Sequence, residues 1–189
     1  GSMLAAAPVF ELSGDAGFHA VVNGKTVAPR QKTEGAAIVP GLFGNAVHLD
    51  NRGILTYPLG SALNKKQGTI VFWFKPDQET KSRFVPVMDR DRLPDGSVGP
   101  VESGMRNILN LHPFRFRYGE NELTTGYRPA PIHKRWFKDQ WNLIAFTWDA
   151  RKKEAHTFCN GVLDNGRYIG KLVYTEPKNS CDTAFFGYP

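Results

Sequence analysis

QGTIVFWFKPD, residues Gln67–Asp77, and WNLIAFTWD, residues Trp141–Asp149, decide the fold of this chain. Each segment concentrates β-branched and aromatic residues between turn-forming residues, which is typical of a strand inside a two-layer sheet. In the first segment the apolar residues occupy both parities, since Ile70 and Phe72 alternate with Val71. This pattern predicts a central strand that is covered on both faces. Together the two segments predict a β-sandwich.

The length and composition indicate one folded domain. The chain has 189 residues, of which 41% are hydrophobic and 12% aromatic. That length suits a single all-β domain with its own core, and no apolar run approaches the length needed to cross a bilayer. Residues 1–3 are typical of the remnant of an expression tag, and residues 4–7 of a flexible leader or the tail of a removed secretion signal. We expect residues 8–189 to form one soluble domain that is secreted or displayed at the cell surface, with no membrane contact.

Short alternating runs elsewhere predict further strands and no helix of useful length. The predicted strands are Val9–Leu12, Phe18–Val22, a strand within Gly41–Asn51, Ile54–Leu59, Phe84–Met88, the two halves of Asn107–Gly119 separated by a turn or bulge at His112-Pro113, and the runs EAHTFCNG, RYIGKLVY and TAFFG. Hairpin turns are predicted at Asn23-Gly24 and Asn160-Gly161. The segment Thr26–Pro40 and the polar segments after Met88 and after Gly119 are predicted to be loops.

Four short motifs combine glycine turns with tryptophan-containing strands. They are Gly-x-x-Gly-x-Ala (Gly41, Gly44, Ala46), Gly-Thr-Ile-x-x-Trp-x-x-Pro (Gly68, Thr69, Ile70, Trp73, Pro76), Trp-x-x-x-Ala-x-Thr-Trp-Asp (Trp141, Ala145, Thr147, Trp148, Asp149), and a strand closing on Asn160-Gly161 that is followed by Phe186-Gly187. In this order they resemble the laminin-G-like, concanavalin A-like jelly-roll domains over most of the chain. The resemblance implies an all-β, two-sheet antiparallel sandwich with Trp73, Trp141 and Trp148 in its core. Members usually continue with another strand, so the closing strand is expected to be missing or replaced by Val9–Leu12.

The same resemblance implies a role in binding or processing glycans. Related hydrolases carry two carboxylates on one strand, and related lyases use Arg, Gln-x-His and Tyr. The sequence has no such carboxylate run, and its segment PIHKRW offers His133 without the Gln. We therefore expect a non-catalytic carbohydrate-binding module for a polysaccharide, joined to other domains of a larger glycan-active protein. The alternatives are a structural or protein-interaction module without a sugar site, and a cryptic polysaccharide lyase or glycoside hydrolase.

Sugar binding requires a flat aromatic ring and planar polar groups around it. Trp136 is the candidate ring, because it lies in the charged segment HKRWFKDQ and outside the core motifs. The alternative is that it anchors its loop to the sandwich. The other candidate contacts are Tyr118, Tyr127, Arg115, Arg117, Arg128 and Asn110. The arginines would form bidentate pairs with a uronate or sulfate, which favours acidic glycans.

The charge of the chain leads to the same expectation about partners. Its 24 Lys and Arg exceed its 18 Asp and Glu, giving a net charge of +6, and a basic stretch runs from Arg115 to Lys138. Such a bias attracts acidic partners if the charge is gathered on one face, and otherwise it is an ordinary solvated surface. The basic residues are not interleaved with a stacking platform, so nucleic acid is not an expected partner.

One loop offers a candidate metal site. Asp89, Asp91 and Asp95 place three hard oxygen donors in it, as calcium requires, although two arginines lie between them. A structural calcium ion and ordinary solvated acids are the two interpretations. The fold is expected to require no cofactor.

Cys159 and Cys181 are the two cysteines of the chain. They are too few for a disulfide scaffold and lack metal-ligand spacing, so zinc is not expected. A single bridge between them and two buried thiols that behave as small hydrophobes are the two interpretations.

Overall fold

The computed structural model of the chain describes residues 8–50, 52–59, 64, 66–75, 106–109, 114–118, 121–125, 139–149, 151–152, 154–163 and 183–187. These residues form fifteen β-strands and no helix. In chain order the strands are β1 (Phe10–Glu11), β2 (Ala20–Val22), β3 (Lys25–Val27), β4 (Gln31–Lys32), β5 (Ala36–Pro40), β6 (Asn45–Leu49), β7 (Ile54–Pro58), β8 (Gln67–Phe74), β9 (Arg106–Leu109), β10 (Phe114–Tyr118), β11 (Asn121–Thr125), β12 (Asn142–Asp149), β13 (Glu154–Cys159), β14 (Val162–Leu163) and β15 (Thr183–Gly187). Since helices are missing from this described part, it also holds no helix that could span a membrane.

Strand pairing within the described residues is antiparallel throughout. The sheets are β1-β2-β3, β15-β7-β4, β5-β6, β11-β10-β9 and β14-β13-β12-β8. The predicted all-β antiparallel class is therefore confirmed. Asn23-Gly24 and Asn160-Gly161 form the predicted tight turns, because both residues of each pair have positive φ, as a two-residue hairpin of this twist requires.

One core cluster joins the three sheets formed by the N-terminal strands and β15. Its buried members are Ala20, Val22, Ala36, Leu55, Tyr57, Leu59 and Ala184. Tyr57 is 0% exposed, and its hydroxyl donates a hydrogen bond of 2.7 Å to the carbonyl of Phe18. The rings of Phe10 and Phe186 lie 5.8 and 5.9 Å from the Tyr57 ring. Burial raises the pKa of the Tyr57 phenol to about 12, because the ionised form would lose its hydration.

The four-stranded sheet has one buried face and one exposed face. On β12 the residues alternate strictly, with Asn142, Ile144, Phe146 and Trp148 buried and the residues between them partly exposed. The ring of Phe146 packs 6.3 Å from the ring of Phe72 on β8. The alternation is that of an antiparallel sheet with one face on a core.

The prediction that β8 is a central strand covered on both faces is wrong. Its alternate residues are exposed, and Val71 and Trp73 have exposed fractions of 57% and 44%. Among the described strands β8 pairs with β12 alone, so it ends the sheet order rather than occupying its middle. The expectation that Trp73 fills the core is corrected as well. Trp148, at 5% exposure, is a core residue as predicted.

Two of the predicted loops contain strands. Residues 26–40 hold part of β3, all of β4 and the five residues of β5, and the segment after Gly119 begins with β11. These strands are short or rich in alanine and polar residues, so their alternation is weak and their pairing partners decide the structure. The two halves of Asn107–Gly119 form β9 and β10, which pair antiparallel, and the turn or bulge predicted at His112-Pro113 lies outside the described residues.

Candidate functional site

The candidate site is the exposed face of the four-stranded sheet, here called the open face. The register places its residues in rows across β8, β12, β13 and β14. The rows are Trp73 with Leu143; Val71 with Ala145, Phe158 and Leu163; Thr69 with Thr147 and His156; and Gln67 with Asp149 and Glu154. Directly opposed residues share a face, so one end of the open face is apolar and the other end is polar.

The apolar end carries a pair of exposed aromatic rings. The centroids of Phe43 and Trp73 lie 6.1 Å apart and the ring planes meet at 73°, an edge-to-face arrangement. Phe43 is 74% exposed and Trp73 is 44% exposed. Because they come from β8 and from the turn between β5 and β6, this pair connects two sheets.

A glycine turn presents Phe43 to this pair. The N–H of Gly41 donates to the carbonyl of Gly44 over 2.8 Å, and Gly44 has a φ of +70°. A side chain at Gly44 would also collide with the carboxylate of Asp15. That carboxylate accepts a hydrogen bond of 2.7 Å from the N–H of Asn45, which links the turn to the segment that contains Asp15. The glycines of the Gly-x-x-Gly motif therefore permit the tight turn between β5 and β6.

A depression of about 340 Å³ lies at the polar end of the open face. Its lining includes Gln67, Thr69, Thr147, Lys152 and His156, together with the carboxylates of Asp149 and Glu154. The N–H of Lys152 donates to Asp149 Oδ1 over 3.0 Å, and His156 Nε2 lies 3.9 Å from Glu154 Oε2. This end therefore offers hydrogen-bond donors and acceptors side by side.

The backbone beneath the depression is supported by Trp148. Its indole N–H donates to the carbonyl of Asn64 over 3.1 Å. Gly68 faces this ring in the register, and a Cβ at Gly68 would overlap the ring atoms of Trp148. A side chain at position 68 would thus displace the ring, so the Gly-Thr-Ile and Thr-Trp-Asp motifs are complementary parts of one packing arrangement.

An asparagine network fixes the opposite end of β12. Asn142 is 0% exposed, its Nδ2 donates to the carbonyl of Gln140 over 2.8 Å, and its Oδ1 accepts from Asn160 Nδ2 over 3.2 Å. Asn160 exchanges two further hydrogen bonds of 2.8 Å with the backbone of Leu143. The β13–β14 turn is therefore tied to the start of β12, beside the aromatic end of the open face.

Most of the binding residues predicted from sequence lie outside the described residues. These are Trp136, Tyr127, Arg128 and Asn110. The other three, Arg115, Arg117 and Tyr118, lie on β10, the middle strand of its sheet. The backbone register there places Arg117 opposite Glu122 on one side and opposite Arg106 on the other. Their binding roles stay predictions.

The predicted calcium ligands and the predicted disulfide are also open. Asp89, Asp91 and Asp95 lie outside the described residues, within which no group of three or more His, Cys, Asp or Glu is placed to hold a metal. Cys159 is 2% exposed, while Cys181 is outside the described residues. The strand that follows Cys181 pairs with β7. The bridge stays a prediction.

Sequence reasoning missed the open face itself. It assigned Trp73 to the core because the tryptophan occupies a motif position that is a core position in the family the chain resembles. A usable signal was the parity of β8, where Gln67, Thr69 and Trp73 share one face and the uninterrupted apolar run is confined to the other. Phe43 had a signal too, since it lies between two glycines at a turn, where a core residue is not expected.

Comparison with known proteins supports the fold. The sequence matches no protein-family model and no curated protein. Among solved structures, domain 4 of AbnA, a GH43 extracellular arabinanase from Geobacillus stearothermophilus solved in complex with arabinotriose, aligns with a TM-score of 0.53 and 15% identity over 82% of this chain and 67% of that chain. A point mutant of HCR/D aligns with a TM-score of 0.59 and 12% identity over 87% of this chain and 40% of that chain. At such identities the likeness concerns the fold alone, and the class it defines is an all-β antiparallel β-sandwich.

Proposed function

We propose that the domain is a non-catalytic carbohydrate-binding module whose ligand lies along the open face. The observation that carries the proposal is the exposed pair of Trp73 and Phe43, at 44% and 74% exposure. Large aromatic rings left in water forgo the free energy of burial, so an exposed pair on a face that also carries polar groups marks a surface that meets a partner. A tryptophan ring offers the flat apolar surface on which the C–H face of a sugar ring stacks.

The dimensions of the open face suit an extended oligosaccharide. Six residue steps separate Gln67 from Trp73, which corresponds to about 20 Å along β8. Stacking at the Trp73 end and hydrogen bonding at the Gln67 end would hold two separate parts of one sugar chain. Weak contacts of this kind gain strength when the module is attached to a second binding or catalytic domain.

A structural neighbour supports this choice of ligand class. The arabinanase domain that shares the fold was solved with arabinotriose, a neutral oligosaccharide. By analogy the present domain would belong to a larger glycan-active protein, act outside the cell or at its surface, and be a member of the laminin-G-like, concanavalin A-like group.

The proposal needs no cofactor. Thermal shift in calcium and in chelator tests the additional calcium site predicted at Asp89, Asp91 and Asp95, which a transition temperature identical in both would refute.

The predicted preference for acidic glycans rests on Arg115, Arg117 and Arg128. Their side chains lie outside the described part of the chain, so this preference is a separate hypothesis. It predicts retardation by acidic polymers that weakens at raised salt.

Affinity gel electrophoresis tests the proposal. The wild-type domain and Trp73→Ala would be run in gels containing neutral polysaccharides, including arabinan, and acidic ones. We expect at least one polymer to retard the wild type and Trp73→Ala to lose most of that retardation. Val9→Ala is the control, since Val9 is 50% exposed but lies beside β1. Equal retardation of wild type and Trp73→Ala by every polymer would exclude the open face as the sugar site.

A protein-interaction module is the second candidate, and one observation favours it. Val71, Leu42 and Leu163 are 57%, 41% and 50% exposed, which adds aliphatic surface that sugars do not need. This alternative predicts no retardation by any polysaccharide and a concentration-dependent increase in size, or a captured protein partner, that Val71→Ser abolishes. Release of oligosaccharides from any polymer, seen by thin-layer chromatography, would instead demonstrate catalysis and refute the non-catalytic assignment.

A further inference from the structure

We infer that Asp15 is a positioning residue of the sugar site: its carboxylate holds the turn that carries Phe43, and through that turn it keeps the Phe43 ring beside Trp73. The inference rests on the proposed function and deepens it by adding a residue that lies outside the open face. Asp15 belongs to the segment between β1 and β2, in a different sheet from Trp73. It therefore acts on the sugar through the Phe43 ring and not by contact.

Packing alone does little to fix the Phe43 ring. The side chain is 74% exposed, and the described aromatic ring beside it is that of Trp73, at 6.1 Å. A single edge-to-face contact between two exposed rings is a weak restraint. The position of the Phe43 ring is consequently set by the backbone of its turn, residues 41–44, and by the contacts that hold this turn.

Asp15 holds the turn from the side of the N-terminal sheet. Asp15 Oδ1 accepts a hydrogen bond of 2.7 Å from the N–H of Asn45, which directly follows the turn and lies 30 residues away in the chain. A Cβ at Gly44 would collide with the same carboxylate, so the carboxylate lies directly against the turn backbone. A hydrogen bond from a backbone N–H to a carboxylate is stronger than one between neutral groups. Asp15 therefore limits how far the turn moves relative to β1 and β2.

The segment that supplies Asp15 is itself fixed in place. The N–H of Gly17 donates to the carbonyl of Gly14 over 3.0 Å, and the N–H of Asp15 donates to Ser13 Oγ over 3.3 Å. Gly14 has a φ of +86°, and a Cβ there would lie 2.9 Å from the carbonyl oxygen of Asn45. Only glycine lets the two backbones approach so closely. The carboxylate thus has a fixed support on one side and the Phe43 turn on the other.

An ordered turn lowers the cost of binding. A sugar that contacts a mobile Phe43 has to order the turn, and that lost freedom is subtracted from the affinity. In the wild type the hydrogen bond to Asp15 has already ordered it. Removing the bond should weaken Trp73-dependent binding about fivefold, which corresponds to the net contribution of one hydrogen bond.

Affinity gels with Asp15→Ala and Phe43→Ala, singly and combined, test the inference. The probe is arabinan, or whichever gel polymer retards the wild type but not Trp73→Ala. We expect Asp15→Ala to bind about fivefold more weakly, and the combined variant to bind within about twofold of Phe43→Ala, because Asp15 acts through that ring. Asp15→Asn keeps an acceptor oxygen and should bind within about twofold of the wild type.

Asp50→Ala is the matched control. Asp50 directly follows β6 at the end away from the Phe43 turn, and its Oδ1 accepts a hydrogen bond of 2.7 Å from the N–H of Arg52. The variant therefore removes the same charge and the same kind of hydrogen bond. Both alanine variants should lower the thermal midpoint by about 2–4 °C, whereas only Asp15→Ala should weaken binding. Far-UV circular dichroism would establish that every variant is folded.

The indole N–H resonance of Trp73 gives a readout without any sugar. The chain has four tryptophans, and in an N–H correlation spectrum the resonance of Trp73 is the one that Trp73→Ala removes. The ring current of Phe43 shifts this resonance, so we expect Asp15→Ala to move it towards its position in Phe43→Ala. Asp15→Asn and Asp50→Ala should leave it in place. An unmoved resonance in Asp15→Ala overturns the link between Asp15 and the aromatic pair.

The binding outcomes separate the inference from the proposed function. Wild-type affinity in Asp15→Ala or in Phe43→Ala, with retardation still lost in Trp73→Ala, overturns the inference and leaves the proposed function standing. Equal losses in Asp15→Asn and Asp15→Ala also overturn it, because the acceptor oxygen would then not be the cause. A further fivefold loss on adding Asp15→Ala to Phe43→Ala overturns it too, since Asp15 would then act independently of that ring. No retardation by any polymer overturns the proposed function and the binding role of Asp15 together.

Discussion

Trp148 and Trp73 belong to paired strands of one sheet, yet they lie on opposite faces of it. Trp148 is 5% exposed, donates its indole N–H to a backbone carbonyl and packs against Gly68, whereas Trp73 is 44% exposed and touches Phe43 alone among the aromatic residues described. Both tryptophans occupy motif positions that the family resemblance assigns to the core. The difference teaches that a motif identifies the strand, while the parity of the strand decides which of its residues are available to a ligand.

The buried face should account for most of the stability of the sheet. Phe146 is 1% exposed and packs against Phe72. Phe146→Ala would remove a large apolar side chain and leave a cavity, so we expect the free energy of unfolding to fall by about 3–5 kcal/mol. Thr147→Ala, one residue further along on the open face, should change it by less than about 1 kcal/mol. Urea denaturation measures both, and similar losses in the two variants would contradict the assignment of faces.

Tyr57 extends the comparison to a buried aromatic residue with a polar end. Its pKa is raised to about 12 in the folded protein, against about 10 in an unfolded chain. Between these values the unfolded chain loses the phenol proton first, so the free energy of unfolding should decrease with rising pH, by about 2–3 kcal/mol in total. Below about pH 10 this contribution is fully present.

Denaturation curves from pH 8 to pH 12 would measure this loss, with Tyr57→Phe as the comparison. The variant lacks the ionisable group, so its stability should decline less steeply above about pH 10. Its stability near neutral pH should be lower by about 1–3 kcal/mol, because the Phe18 carbonyl loses its partner. Parallel pH profiles would show that Tyr57 is not the group responsible.

Gly68 and Thr69 allow the buried and open faces to be compared within one strand, β8. A Cβ there would overlap the Trp148 ring on the buried face, so Gly68→Ala should destabilise the domain by about 1–3 kcal/mol. Thr69→Ala changes the next residue, which points to the open face, and should have less than about 1 kcal/mol of effect. Loss of the near-UV circular dichroism of tryptophan in Gly68→Ala would report the displaced ring. An unchanged midpoint would show that the ring moves aside without penalty.

The fold was predictable from the sequence because its main signals are local. Alternation along β12, the Asn-Gly turns and the glycine motifs depend on residues close together in the chain. The short strands β4 and β11 escaped prediction because two to five polar residues have no pattern of their own. β4 pairs with β7 and β11 pairs with β10, and these partner strands stabilise β4 and β11 in the extended conformation.

The site was less predictable, for a physical reason. Thr69, Thr147 and His156 become neighbours only through the register of three strands, and no spacing in the sequence encodes that register. Reasoning from composition instead selected the charged segment around Trp136, where a tryptophan among charges is conspicuous. Trp73 has apolar neighbours in the sequence, so it is not conspicuous there. Only the burial pattern of β8 shows that Trp73 is exposed whereas Phe72 is partly buried.

Trp73 itself should have the smallest effect on stability and the largest on binding. Its ring contacts Phe43 at 6.1 Å and is 44% exposed, so Trp73→Ala should lower the free energy of unfolding by less than about 1 kcal/mol. A double-mutant cycle with Phe43→Ala should give a coupling of about 0.5–1 kcal/mol, as expected for an edge-to-face pair. A loss of about 3 kcal/mol or more in Trp73→Ala would place this ring with Trp148 in the core, and the distinction between the two faces would then fail at the residue on which the proposed function depends.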